Sequence, residues 1–112
     1  MNVDYYLDVL KDMDEFAAKF RTLTKQESVD CSLIEFRIMD LADENPELRL
    51  NDLGAERWVF QQGIGRLAKR LCEKGLIELR RNRKDGRAKN IILTEQGKAV
   101  RAKCREILQT IL

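Results

Sequence analysis

A mainly helical chain carrying one small β-hairpin, an α+β arrangement, is the fold class this sequence predicts. Three observations predict it. Apolar residues recur at helical spacing in four separate stretches. Two short apolar runs, "LIELRR" and "NIIL", bracket a charged segment. Asn45-Pro46, Gly75 and Asp85-Gly86 fall where such elements would stop or turn.

Each element follows from its own residues. Over residues 3–23, Tyr6, Leu10, Met13, Ala17 and Phe20 alternate four and three apart, and Leu7, Val9, Phe16 and Leu23 widen the stripe. This first helix is more apolar than one small domain needs. Ser32 with Glu35 makes a capping box that opens "LIEFRIMDLADEN", with Leu33, Phe36, Ile38, Leu41 and Ala42 as its apolar set; Asn45-Pro46 forces the stop. After a short extended "LRL", Asn51 is expected to cap a brief third helix through "DLGAER". From about Gln61, residues Ile64, Leu67, Ala68, Leu71 and Cys72 fall at i, i+3, i+4, i+7 and i+8, and Gly75 ends this fourth helix. Its opposite face carries Gln61, Gln62, Gly65, Arg66, Lys69 and Glu73.

Between the two strand-like runs lies "NRKDGRAK", in which Asp85-Gly86 predicts a tight type I′ hairpin turn, because both central positions of that turn need positive φ. Thr94 then caps a last helix with Val100, Cys104, Ile107, Leu108, Ile111 and Leu112 on one side. Helix, helix, short strand, helix, helix, hairpin, helix is the order of a winged helix-turn-helix. The expected organisation is one domain over 1–112. Its DNA-binding core is 32–94, and the flanking helices 1–24 and 95–112 pair two chains into a dimer.

Composition narrows the function. Of 112 residues, 44% are apolar and 36% charged, as in a soluble globular protein, and no apolar stretch reaches the ~18 residues of a membrane span. The acidic start "MNVDYYLDVLKDMDE" lacks the basic and apolar segments of a signal peptide, so the cytoplasm is the expected compartment. Three widely spaced cysteines suit a reducing compartment, and without histidine or a CxxC pair no metal or other cofactor is expected. Nor does the sequence offer a histidine base or a nucleophile with partners, so an enzyme is not expected. The net charge of +2 conceals opposed halves: residues 1–56 hold 6 Lys/Arg against 14 Asp/Glu, and residues 57–112 hold 15 against 5. "RRNRKDGRAKN", residues 80–90, alone carries six cations. A polyanion would meet one attractive face, and nucleic acid is the commonest such partner.

The stretch "LAKRLCEKGLIELRRNRKDGRAKNIILTEQGKAV" resembles the recognition-helix and wing region of the MarR family of transcription regulators. Leu71, Lys74-Gly75-Leu76, Asp85-Xaa-Arg87 and Leu93-Thr94-Xaa-Xaa-Gly97 carry the match. The short length, "SLIEF" at the second helix and "RN" three residues before Asp85 also resemble the SarA-type subgroup. The resemblance spans roughly residues 32–100. It implies that the terminal helices build a dimer, that the fourth helix enters the major groove, and that Arg87 reaches the minor groove with Asp85 orienting it. Arg57-Trp58 departs from the family, which has an apolar residue and a turn residue there. Gly63 and Gly65 depart as well, each costing the helix ~1 kcal/mol relative to Ala.

The residue chemistry agrees. An Arg at a hairpin tip fits a minor groove about 6 Å wide, whose negative potential deepens in A·T tracts. Arg80, Arg81, Arg83, Lys84 and Lys89 beside it would meet phosphates. On the fourth helix Gln61 and Gln62 match adenine edges and Arg66 matches guanine; Lys69 and Arg70 extend the same surface, and Gly65 would let the backbone approach closely. Tyr6, Leu10, Met13, Phe20, Ile107, Leu108 and Ile111 are the expected dimer contacts. The expected partners are therefore double-stranded DNA and a second copy of the chain, acting on a pseudo-palindromic A·T-rich site. The sequence assigns no small-molecule effector.

Rival readings remain. The basic hairpin could instead grip an acidic protein, making the chain an interaction module. "GIGRLA", residues 63–68, fits a dinucleotide-binding fingerprint, with "WVF" before it readable as a strand, but the required parallel sheet has no sequence counterpart. Cys72 and Cys104 lie on apolar helix faces as core fillers. Cys31, just before the capping Ser32, is the candidate redox residue, because a helix N-terminus can lower a thiol pKa.

Overall fold

The computed structural model describes residues 2–55 and 61–112, with side chains at all of these except 54, 55, 61 and 62. In chain order it holds α1 (Val3–Gln26), α2 (Leu33–Glu44), a 3-10 helix (Leu50–Ala55), α3 (Gln61–Glu73), β1 (Ile77–Arg81), β2 (Lys89–Leu93) and α4 (Glu95–Ile111). None of these helices is long and apolar enough to cross a membrane.

Caps explain most boundaries. Asn2 accepts a hydrogen bond from the Asp4 amide and starts α1. That helix runs three residues beyond its expected end and closes by a Schellman pattern, with the Val29 amide on the Thr24 carbonyl at 2.8 Å and Ser28 at φ +57°. Glycine is the usual residue there, so its absence concealed the stop. The capping box of α2 is present in both directions: Ser32 Oγ accepts from the Glu35 amide, and Glu35 Oε1 accepts from the Ser32 amide. Thr94 starts α4 as expected, its Oγ1 accepting from the Gly97 amide at 2.9 Å.

Two local expectations are corrected. The turn after "LRL" is a 3-10 helix beginning at Leu50, so Asn51 lies inside it and does not cap it. Asp52 performs the closure, its Oδ2 accepting from the Arg49 amide at 2.9 Å while its own amide donates to the Arg49 carbonyl. Nor is the hairpin turn type I′, since neither Asp85 nor Gly86 has positive φ. The register pairs Ile77 with Leu93 and Arg81 with Lys89, leaving residues 82–88 as a longer loop. The longer loop is held by the Asn82 side chain, whose Oδ1 accepts from the amides of Lys84 and Asp85.

The core forms where α2 packs on α1, α4 and β2. Ile38, Met39, Leu53, Leu71, Ile91 and Cys104 are fully enclosed there. The 3-10 helix and β1 support α3 through Leu53, Ile64, Ala68 and Leu71. "LRL" forms no strand of its own but lies along the free edge of β2, with a bridge from Arg49 to Asn90, the Leu48 carbonyl accepting from the Ile91 amide at 2.9 Å and the Leu48 side chain buried in the core.

Two expected dimer contacts belong to this core instead. Phe20 is 1% exposed, packed with its ring centroid 6.4 Å from that of Phe36, and Ile107 is 3% exposed. Burying Phe20 contributes about 2 kcal/mol to holding α1 on its own chain. Leu108 and Ile111 are half-buried against the same core. Cys31 is corrected too. It is buried, its Sγ donates to the Ser32 carbonyl, and its pKa is pushed strongly up by its hydrogen bond with Cys104 and by burial. The thiol is held protonated, opposite to an activated thiolate at a helix N-terminus.

Candidate nucleic-acid interface

Helical periodicity divides α3 into two faces. Ile64, Ala68 and Leu71 are buried, which turns Gly65, Arg66, Lys69 and Arg70 outward, all exposed. Gln61 and Gln62 open the helix, but their side chains lie outside the described residues, as do Arg57 and Trp58. Gly75 at φ +74° then reverses the chain into β1, a conformation that favours glycine.

The hairpin presents the second group of cations. Arg81, Arg83, Lys84, Arg87 and Lys89 are exposed, as are Asp85 and Gly86. The loop that carries them is internally braced. Asn82 Oδ1 accepts from the amides of Lys84 and Asp85, its Nδ2 donates to Asn90 Oδ1 at 3.0 Å, and its amide donates to the Ala88 carbonyl. Ala88 donates back to the Asp85 carbonyl, and Asp85 Oδ1 accepts from the Arg87 amide at 3.0 Å. Asp85 therefore holds the backbone of Arg87. Sequence reasoning missed Asn82 and Asn90 as the brace; the available signal was an Asx residue at the start of the loop.

Charge pairing separates this surface from the rest. Among the described residues, Arg49, Lys74, Lys98, Arg101, Lys103 and Arg105 all sit in ion pairs. Asp40, 5% exposed, receives Arg101 at 3.0 Å and Arg105 at 2.8 Å. Arg49 holds the Asp52 carboxyl below the usual carboxylate range, first through its amide and then through its guanidinium. By contrast, among the described residues none of the exposed cations of α3 or the hairpin takes part in such a pair except Arg80, which meets Glu78 at 3.0 Å. Exposed pairs of that kind contribute little. The cations of α1, Lys11, Lys19, Arg21 and Lys25, are diluted by Asp4, Asp8, Asp12, Asp14 and Glu15 on the same helix. Unneutralised positive charge thus collects on α3 and the hairpin.

A second surface is apolar. From Val3 to Glu15 every residue of α1 is exposed, including Val3, Tyr5, Tyr6, Leu7, Val9, Leu10 and Met13. Val9, Met13 and Phe16 line a groove of about 530 Å³ with Leu33, Phe36 and Arg37.

A helical pair followed by a braced basic hairpin, flanked by long helices, defines a winged helix-turn-helix protein. Residues 30–88, more than half the chain, match the model of the MarR family, and the chain belongs to that family of transcription regulators. Among solved structures, it is similar to wild-type MarR from E. coli in its apo form, with TM-score 0.79 and 17% identity, covering 96% of this chain and 77% of that one. A transcriptional repressor, CouR, bound to a 23-mer DNA duplex gives TM-score 0.83 and 19% identity, covering 97% and 74%. The regulator BldR from Sulfolobus solfataricus gives 0.74 and 22%, covering 99% and 81%. None of the curated proteins compared matches the chain in sequence. The dinucleotide reading falls, because residues 63–68 lie inside α3 and the sheet of the described residues is a two-stranded antiparallel hairpin. "WVF" lies outside the described residues.

Proposed function

We propose that this regulator binds double-stranded DNA sequence-specifically as a homodimer, with α3 in the major groove and the hairpin in the minor groove of a pseudo-palindromic A·T-rich site. The unneutralised cations of α3 and the hairpin carry this reading. Arg81 directly opposite Lys89 costs the hairpin stability, and a bound phosphate backbone would offset that repulsion. Arg66 is the base reader on α3, with Gln61 and Gln62 ahead of it; Lys69, Arg70, Arg81, Arg83, Lys84 and Lys89 contact phosphates, and Arg87 enters the minor groove. Among the described residues, a Cβ on Gly65 would meet nothing within 4 Å beyond its chain neighbours and its own helix backbone, so a loss of affinity in Gly65→Ala would point to close approach of DNA.

The homodimer rests on α1. A helix whose first 13 residues are exposed on every side gains little stability of its own. Its exposed apolar residues form the kind of patch that marks an interface. Tyr6, Leu10 and Met13, together with the groove against α2 and the outer sides of Leu108 and Ile111, are the surface a second copy would cover.

Fluorescence anisotropy on A·T-rich palindromic and scrambled duplexes across a salt series tests the reading. Steep salt dependence is expected, and Arg87→Ala should weaken binding by about 1–3 kcal/mol. Binding no stronger to any duplex than background would favour an acidic protein as the partner of the basic hairpin.

A further inference from the structure

Lys74 stands in the basic half of the chain, one residue beyond α3, where a phosphate contact would be the simple assignment. Its side chain goes inward instead. Nζ donates to Glu35 Oε1 and Oε2 at 3.0 and 3.1 Å, and to the carbonyl and Oδ1 of Asp30, both at 3.2 Å. Glu35 is 1% exposed, and its Oε1 also accepts from the Ser32 amide. Lys74 is rigidly joined to the helix before it, since its amide donates to the Arg70 carbonyl and the next two amides donate to Cys72 and Leu71. The last turn of α3 is therefore bolted to the first turn of α2.

The other end of α2 is bolted to α4. Asp40 Oδ1 accepts from Nε of Arg101 and from both Nε and a terminal nitrogen of Arg105, and Arg101 reaches Asp43 at 3.3 Å. Ion pairs near both ends of α2 thus tie it to its neighbours, to α3 through Lys74–Glu35 and to α4 through Asp40, and the helix itself joins the two. Buried pairs of this kind stabilise weakly for their geometric cost, but they resist alternative arrangements, because a displaced partner leaves a charge buried alone.

We propose that Lys74 is a positioning residue for DNA readout: it fixes where α3 stands relative to α4, and hence the half-site spacing a dimer accepts. This rests on the dimeric DNA-binding reading above. Placement of this kind matters at the ångström level, since adding one base pair moves a half-site by about 3.4 Å and turns it around the DNA axis.

The probe is a set of duplexes selected by the wild-type protein from a random pool, remade with one base pair added or removed between half-sites. Lys74→Met should remain a folded dimer by circular dichroism and sedimentation and bind about tenfold more weakly. Its slope of log affinity against log salt should be unchanged, and its penalty for altered spacing should fall to less than a third of the wild-type value. Lys74→Arg should restore both affinity and spacing preference. A slope smaller by about 0.9 would make Lys74 a direct phosphate contact and overturn the proposal, as would an unaltered spacing penalty. If Lys74→Met does not fold, Glu35→Gln takes its place with the same expectations, and failure of both to fold assigns the pair to stability alone and overturns it. Should the wild type select no duplex, the DNA-binding reading itself falls. Selection by the wild type with unchanged behaviour in Lys74→Met removes only the present inference.

Discussion

Single residues in this chain act through contacts that their sequence neighbours do not reveal. Gly97 belongs to the Leu93-Thr94-Xaa-Xaa-Gly97 pattern, and its reason is steric: a Cβ there would collide with the Leu76 carbonyl oxygen. The same carbonyl accepts from the Thr94 amide, and Thr94 Oγ1 donates to the Gly75 carbonyl at 2.7 Å, so the start of α4 is pressed onto the entry to β1. Gly97→Ala should cost about 3 kcal/mol in urea unfolding, the upper range for overpacking. Lys74 makes a second residue-scale prediction. Burial alone would lower its pKa, but the hydrogen bonds it donates to Glu35 and Asp30 outweigh that and raise it. A raised folded-state pKa means that the ion pair's stability is fully present below the unfolded lysine value of about 10.4 and is lost as pH rises through the higher folded value. The wild-type urea midpoint should therefore fall more steeply than that of Lys74→Met on the alkaline side of that window.

At the scale of elements, the hairpin shows two turn signals in competition. Asp85-Gly86 is a strong local signal for a two-residue turn, yet the chain closes a seven-residue loop around Asn82. The wider loop gives the backbone of its cations fixed partners. Asn82→Ala removes the side-chain acceptor of two amides and the donor to Asn90. Because the loop is exposed and outside the core, its thermal midpoint should shift by only a degree or two, while DNA affinity drops severalfold in the same anisotropy assay as the loop loses its presented conformation. An unchanged affinity would show that the brace does not serve presentation of Arg87.

For the whole molecule, the division of surfaces is the main result: an unneutralised basic side formed by α3 and the hairpin, and an apolar, net acidic projection formed by the first half of α1. The projection reaches about 20 Å at 1.5 Å per residue, and its residues stay exposed among the described residues of its own chain. Leu10→Glu should leave the monomer's core intact, since Leu10 is 55% exposed, and should shift the sedimenting species from dimer to monomer. Loss of one half-site from the DNA-binding stoichiometry should accompany that shift. A variant that sediments like the wild type would place the dimer surface elsewhere than Leu10.

The amino-acid sequence by itself determined the order of the elements, the capped starts of α2 and α4, the core face of α3 and the concentration of basic charge. These follow from periodicity and capping, which act over three or four residues and are written locally. Family membership was legible for the same reason, in a contiguous stretch around the hairpin. Only the tertiary structure decided that Phe20 and Ile107 belong to the chain's own core rather than to a partner, because one apolar stripe looks the same whichever surface covers it. It also decided that Lys74 turns inward to Glu35, that Asp40 gathers arginines from α4, and that the Cys31 thiol is buried beside Cys104. Those partners lie 39 to 73 residues apart in the chain, and only packing brings such groups within hydrogen-bonding reach.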